Sequence, residues 1–148
     1  MKKYKVGYTT GVFDMFHIGH LNILERAKEK CEYLIVGVST DELVKSYKNK
    51  TPISPFEERM KIVKAIRYVD EVVPQTTMDK MAAWKQYKFD AMFHGSDWKG
   101  TNMYYEIEKE LNAVGCELVF LPHTDGTSST ILTNALQKLL DMPDDAKK

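Results

Sequence analysis

The sequence is poor in cysteine and carries no excess of either charge. Two cysteines in 148 residues exclude a disulfide scaffold. Cys31 and Cys116 also lack the paired spacing of a zinc site, so both are expected to be free thiols at strand starts or helix-to-strand connections. Lys plus Arg equals Asp plus Glu, 21 against 21, which argues against a broad nucleic-acid footprint, since that needs a basic excess. No apolar run is long enough to cross a bilayer. Met1-Lys2-Lys3-Tyr4 leads into a strand rather than an apolar leader core, so a cytoplasmic location without membrane insertion is expected. Neither a Gly-x-Gly-x-x-Gly fingerprint nor a Gly-Lys-Ser phosphate loop is present.

What is present alternates between strand and helix. Strands are predicted at 5–9, 33–39, 71–73, 91–94 and 117–121, the second a nearly continuous apolar run of the kind buried on both faces of a parallel sheet. Helices are predicted at 20–30, 56–66, 79–87, 104–114 and 128–140, with a short helical turn at 41–45. Residues 46–55, polar and bearing Pro52 and Pro55, form the best candidate for a mobile loop. Pro74 is expected to stop the third strand, and residues 144–148 to fray. The pattern predicts one α/β domain over 1–148, a doubly wound, mostly parallel sheet of five strands without an internal repeat. Ligands of such sheets bind past the carboxyl ends of the strands.

Polar chemistry gathers at those ends. After the first strand comes Thr10-Gly11-Val12-Phe13-Asp14-Met15-Phe16-His17-Ile18-Gly19-His20. Two histidines three residues apart on one helical turn point the same way, and Gly19 leaves room for a ligand. Their spacing is not the four-residue spacing of zinc proteases. Lys48 and Lys50 follow the second strand, in a loop where solvated lysines are ordinary. Arg59 and Arg67 have acidic neighbours, Glu58 and Asp70, that suit plain surface pairs. His94-Gly95-Ser96-Asp97-Trp98 follows the fourth strand. After the fifth comes His123-Thr124-Asp125-Gly126-Thr127-Ser128-Ser129-Thr130, where a helix cap explains one hydroxyl and the run of four beside a glycine suits phosphate oxygens at a helix N-terminus.

These motifs resemble the His-x-Gly-His nucleotidylyltransferase superfamily. Gly11-Val12-Phe13-Asp14 with His17-Ile18-Gly19-His20 carries the likeness. Ile66-Arg67-Tyr68-Val69-Asp70-Glu71-Val72, Gly95-Ser96-Asp97-Trp98 and the run 123–130 are similar to cytidylyltransferase signatures. The likeness covers nearly the whole chain and is strongest to the small bacterial glycerol-3-phosphate cytidylyltransferase type. The resemblance implies a Rossmann-like fold, Mg²⁺, a homodimer with the Arg67 segment near the subunit contact, and joining of CTP to a phosphorylated alcohol. Such products are precursors of teichoic-acid-like or capsular polymers.

Residue by residue, the resemblance assigns catalytic roles to His17, His20, Lys48, Lys50 and Arg67. It assigns nucleotide binding to Gly11, Val12, Phe13, Asp14, Gly19, Gly95, Asp97, Trp98, His123, Thr124, Gly126, Thr127, Ser128 and Ser129; Asp14 would order the loop or assist the metal. The metal ligands stay unassigned. Three positions depart from the pattern: His123 stands for an arginine, Ser96 for an acid and Val12 for a frequent threonine. A histidine titrates near neutrality, whereas arginine is a permanent planar fork. An adenylyltransferase on the same scaffold and a catalytically silent nucleotide-binding protein are the alternatives.

Overall fold

The short apolar runs of the sequence become strands, and the intervening amphipathic segments become the helices that cover them. The structure, a computed structural model, describes residues 3–48, 51–95, 102–122 and 129–141. Its strands are β1 (Tyr4–Gly11), β2 (Cys31–Ser39), β3 (Glu71–Gln75), β4 (Ala91–Gly95) and β5 (Glu117–Leu121). Its helices are α1 (Ile18–Lys30), α2 (Asp41–Lys48), α3 (Phe56–Lys64), α4 (Lys80–Tyr87), α5 (Asn102–Ala113) and α6 (Ser129–Asp141). All strand pairs are parallel, in the order β3-β2-β1-β4-β5. The fold is therefore the expected Rossmann-like α/β sheet.

Alternating side chains build two cores. On β2, Leu34, Val36 and Val38 pack on the α1 and α3 side, with Leu24, Ala27 and Val63. Ile35 faces the other side, where Tyr104 and Leu111 of α5 and Trp84 of α4 pack. Burying each such aliphatic side chain contributes about 1.5–3 kcal/mol. The central strand needs small residues to let these layers close. A Cβ at Gly7 would fall 2.5 Å from the Phe93 ring and 2.8 Å from Cys31 Sγ.

Two elements differ from the sequence expectation. The short turn at 41–45 is a full helix to Lys48, so the lysine-bearing stretch begins inside α2. The Thr40 hydroxyl accepts from the Leu43 N–H at 3.2 Å, Val44 is buried, and the acidic Asp41 and Glu42 suit the first turn; together these nucleate the helix. Pro74 does not end the third strand. It sits within β3, opposite Val38, because β3 is an edge strand and its missing N–H leaves no ladder bond unmade. Both cysteines are buried thiols outside any disulfide, with Cys31 opening β2 and Cys116 preceding β5.

Candidate active site

The strand order reverses between β1 and β4, neighbours in the sheet whose chain connections run to opposite sides. This is the switch point where α/β sheets bind ligands. A cavity of about 190 Å³ opens there, bounded by Thr10, Gly11, Phe13, His20, Ile23 and His94. Thr9 ties the two strands by donating from its hydroxyl to the Phe93 carbonyl at 2.9 Å.

The loop from β1 to α1 aims the histidines. Phe13 and Met15 hold left-handed backbone, at φ of 55° and 48°, an uncommon state for residues with a side chain. His17 then caps α1. Its Nδ1 accepts from the Gly19 N–H at 3.0 Å, and His20 Nδ1 accepts from the His17 N–H at 3.2 Å. The pair forms a capping box, built here from imidazoles rather than Ser and Glu. Their rings stack with centroids 4.0 Å apart.

This geometry fixes the protonation. A ring nitrogen that accepts an N–H bond carries no proton, so in both rings the proton sits on Nε2. Charging either ring would break its cap. Burial accordingly lowers the His17 pKa, and burial, with the neighbouring His17, pushes His20 down to about 4. His17 Nε2 is shielded from solvent and has no hydrogen-bond partner among the described residues. The site thus offers neutral, oriented N–H donors, the equipment for stabilising charge that develops on phosphoryl oxygens.

Asp14 and Arg59 hold the surrounding loops. The buried Asp14 carboxylate accepts from the N–H groups of Ile53 and Ser54 at 2.8 and 2.9 Å, tying the 51–54 segment to the β1–α1 loop. Of the two roles expected for Asp14, the structure shows the ordering one. Arg59 does not pair with Glu58. It is fully buried and donates to the carbonyls of Val12, Ser39 and Ser54 at 2.8, 2.7 and 3.0 Å and to the Asp41 carboxylate at 2.5 Å. The guanidinium wins this place because its planar fork serves four acceptors at once. Asp70 in turn pairs with Lys28 at 2.6 Å, not with Arg67.

The structure brings together Gly11, Val12, Phe13, Asp14, His17, Gly19, His20 and Gly95 of the expected site. Arg67 is not among them. It precedes β3, at the amino end of the sheet, where it is exposed and donates to the Tyr68 hydroxyl at 3.1 Å. Lys48 and Ser129 close α2 and open α6 respectively. Lys50, Asp97, Trp98, His123, Thr124, Gly126, Thr127 and Ser128 lie outside the described residues. Sequence reasoning missed Arg59 as a site organiser and did not single out Thr9. A lone arginine in a charged helix carries no mark of burial. Among the described residues, no three His, Cys, Asp or Glu side chains stand together to hold a metal ion. Both Asp14 oxygens already accept amides, so the described residues do not form a cage for Mg²⁺.

The fold and the site place a ligand cavity at the switch point of a parallel sheet. The cytidylyltransferase-like family model matches residues 8–135. The chain is 39% identical over 132 residues to glycerol-3-phosphate cytidylyltransferase of Bacillus spizizenii, covering 88% of this chain and 96% of the relative. It is 54% identical over 119 residues to FAD synthase of Pyrococcus horikoshii, covering 76% and 77%. A solved lipopolysaccharide core biosynthesis protein of Thermoplasma volcanium superposes with TM-score 0.69 at 25% identity, covering 82% of this chain and 97% of that one. The chain belongs to the cytidylyltransferase-like family.

Proposed function

We propose that this protein transfers a cytidylyl group from CTP to sn-glycerol 3-phosphate, giving CDP-glycerol and pyrophosphate. The observation that carries the reading is the imidazole pair, whose Nδ1 atoms are occupied by backbone N–H groups beside the switch-point cavity. The near end-to-end match to glycerol-3-phosphate cytidylyltransferase supports this choice of base and acceptor.

An oxygen of the acceptor phosphate attacks the α-phosphorus in line. The bond from that phosphorus to the α,β-bridging oxygen breaks, and its electron pair leaves with pyrophosphate. The nucleophile is already an anion, so no general base and no covalent intermediate are needed. Catalysis is positioning and charge stabilisation. His17 and His20 donate Nε2–H to the transferring group and the triphosphate, and Lys48, at the end of α2, and Lys50 meet its phosphates. Mg²⁺ would supply screening of the triphosphate charge, and the described side chains by themselves would not hold it. The reading includes a homodimer, with the segment around Arg67 near the subunit contact.

Adenylyl transfer is the second reading, favoured by the 54% identity to an FAD synthase. A panel of CTP, ATP, GTP and UTP against glycerol 3-phosphate, phosphocholine, ribitol phosphate and FMN, read by mass detection of the product, separates the two. CDP-glycerol is the expected product. Turnover with ATP alone overturns the CTP assignment, and binding of CTP without turnover on any acceptor overturns the enzymatic one.

A further inference from the structure

The two ends of α2 are tied to the body of the protein by different means. The first turn is held by the Arg59–Asp41 ion pair and by the Phe56 N–H, which donates to the Asp41 carboxylate at 3.3 Å. Val44 is buried beneath the middle. In the last turn Lys45 and Ser46 are exposed, and the Ser46 hydroxyl returns to the Leu43 carbonyl at 2.6 Å, within the helix. The residue that reaches inward from that turn is Tyr47, to which the proposed mechanism gives no task.

Tyr47 follows Val44 by three positions, so the two share a helix face. The residue is 43% exposed, yet its hydroxyl bonds to the side chain of Ser39, which is only 2% exposed. The Ser39 hydroxyl gives its one proton to Gln75 Oε1, at 2.8 Å. Towards Tyr47, then, Ser39 is the acceptor and the phenol the donor. Burial holds the Tyr47 pKa above its ordinary value, against the opposing pull of the Ser39 bond and the nearby Arg59 charge, so the phenol keeps the proton it donates. A hydrogen-bonded relay thus runs from Tyr47 through Ser39 to Gln75, from the end of α2 across the ends of β2 and β3. Each bond in such a chain polarises the next. Its middle is rigid, because Arg59 holds the Ser39 carbonyl at 2.7 Å and Gln75 is itself buried.

The position of the relay gives it a consequence. Lys48 follows Tyr47 directly and is the last residue of α2. Further along the chain, the Ile53 N–H is held at 2.8 Å by Asp14, in the loop that leads to His17 and His20. The stretch that begins with Lys48 is therefore anchored on both sides, at one end on β2 and β3 and at the other beside the histidines. A lysine on a loose turn must be ordered when it meets a phosphate, which weakens binding; one on an anchored turn is ordered beforehand.

We propose that Tyr47 is a positioning residue: its hydroxyl, through Ser39 and Gln75, fixes the last turn of α2 and so sets where Lys48 meets the triphosphate. The assignment rests on the nucleotidyl-transfer reading above, in which Lys48 meets those phosphates.

The experiment is a double-mutant cycle of Tyr47→Phe with Lys48→Ala. Tyr47→Phe keeps the ring and deletes the donor. One hydrogen bond of this kind corresponds to about 3- to 10-fold, so kcat/KM for CTP should fall by that factor while the KM for sn-glycerol 3-phosphate changes by less than about twofold. In the Lys48→Ala background the same deletion should change kcat/KM for CTP by less than about twofold, because a residue that acts through Lys48 has nothing left to place. An equal fall in both backgrounds, as a merely structural tyrosine would give, overturns the proposal, and so does a Tyr47→Phe enzyme at wild-type kcat/KM. Hydrogen–deuterium exchange of the ligand-free protein reads the anchor without substrate. The amides of residues 45–48 should exchange faster in Tyr47→Phe, and unchanged exchange overturns the relay. If wild type turns over ATP in place of CTP, the cycle is read with ATP and only the base assignment falls. If wild type turns over no nucleotide, the transfer reading falls and the cycle is read on the calorimetric Kd for CTP. Non-additive losses then sustain Tyr47 as the residue that places Lys48, and additive losses or an absence of binding overturn it.

Discussion

His17 does two jobs with one ring. Nδ1 caps α1, and Nε2 is left as a donor with no partner among the described residues. The jobs can be separated, because asparagine is a good N-cap acceptor but ends short of the outer nitrogen. His17→Asn should therefore keep the melting temperature close to wild type and lower kcat at least ~10²-fold, in line with the loss of a donor to a developing oxyanion. His20→Ala should lower kcat similarly. Steady-state kinetics alongside thermal melts test both, and a His17→Asn enzyme at wild-type kcat would remove that ring from the chemistry. The motif itself was legible in the sequence, as two histidines on one helical turn beside a glycine. That their inner nitrogens close the helix was not, because capping by imidazole leaves no distinct spacing.

At the scale of elements, the site is held by the segment between α2 and α3. Arg59 on α3 joins the carbonyl of Val12 after β1, the carbonyl of Ser39 at the end of β2, the carbonyl of Ser54, and Asp41 at the start of α2. Arg59→Met should strand these acceptors and destabilise the protein by about 3 kcal/mol, with a rise in the KM for CTP as the loops part. Urea unfolding and kinetics measure the two effects; a variant as stable as wild type would show that the bridge contributes nothing net. Strand positions were readable from apolar runs such as Tyr33–Ser39, because a strand covered on both faces must be apolar throughout. The full length of α2 was not, since Ser46, Tyr47 and Lys48 read as loop, while the buried Val44 and the Thr40 cap decide for helix. Pro74 misled in the same way, because edge or centre is a property of the sheet and not of the residue.

For the molecule as a whole, two neutral imidazoles link stability to pH. His20 titrates near 4 when folded and near 6.5 when unfolded, so between those values the unfolded chain binds more protons. Stability is then full above about pH 6.5 and falls as pH drops towards 4, by up to roughly 3 kcal/mol from this ring alone. Thermal melts at pH 7 and 5 should show a lower transition at pH 5, and a His20→Gln variant should show a smaller difference. Equal transitions at both pH values would mean that the ring is charged in the native state. The left-handed backbone at Phe13 and Met15 has a related consequence. A free peptide spanning 4–30 would have no reason to adopt that turn, since its anchors on α3 and on the 51–54 segment would be missing. Catalytic competence in this chain thus depends on the meeting of parts of the polypeptide far apart in sequence, and such a fragment should be inert towards nucleotide.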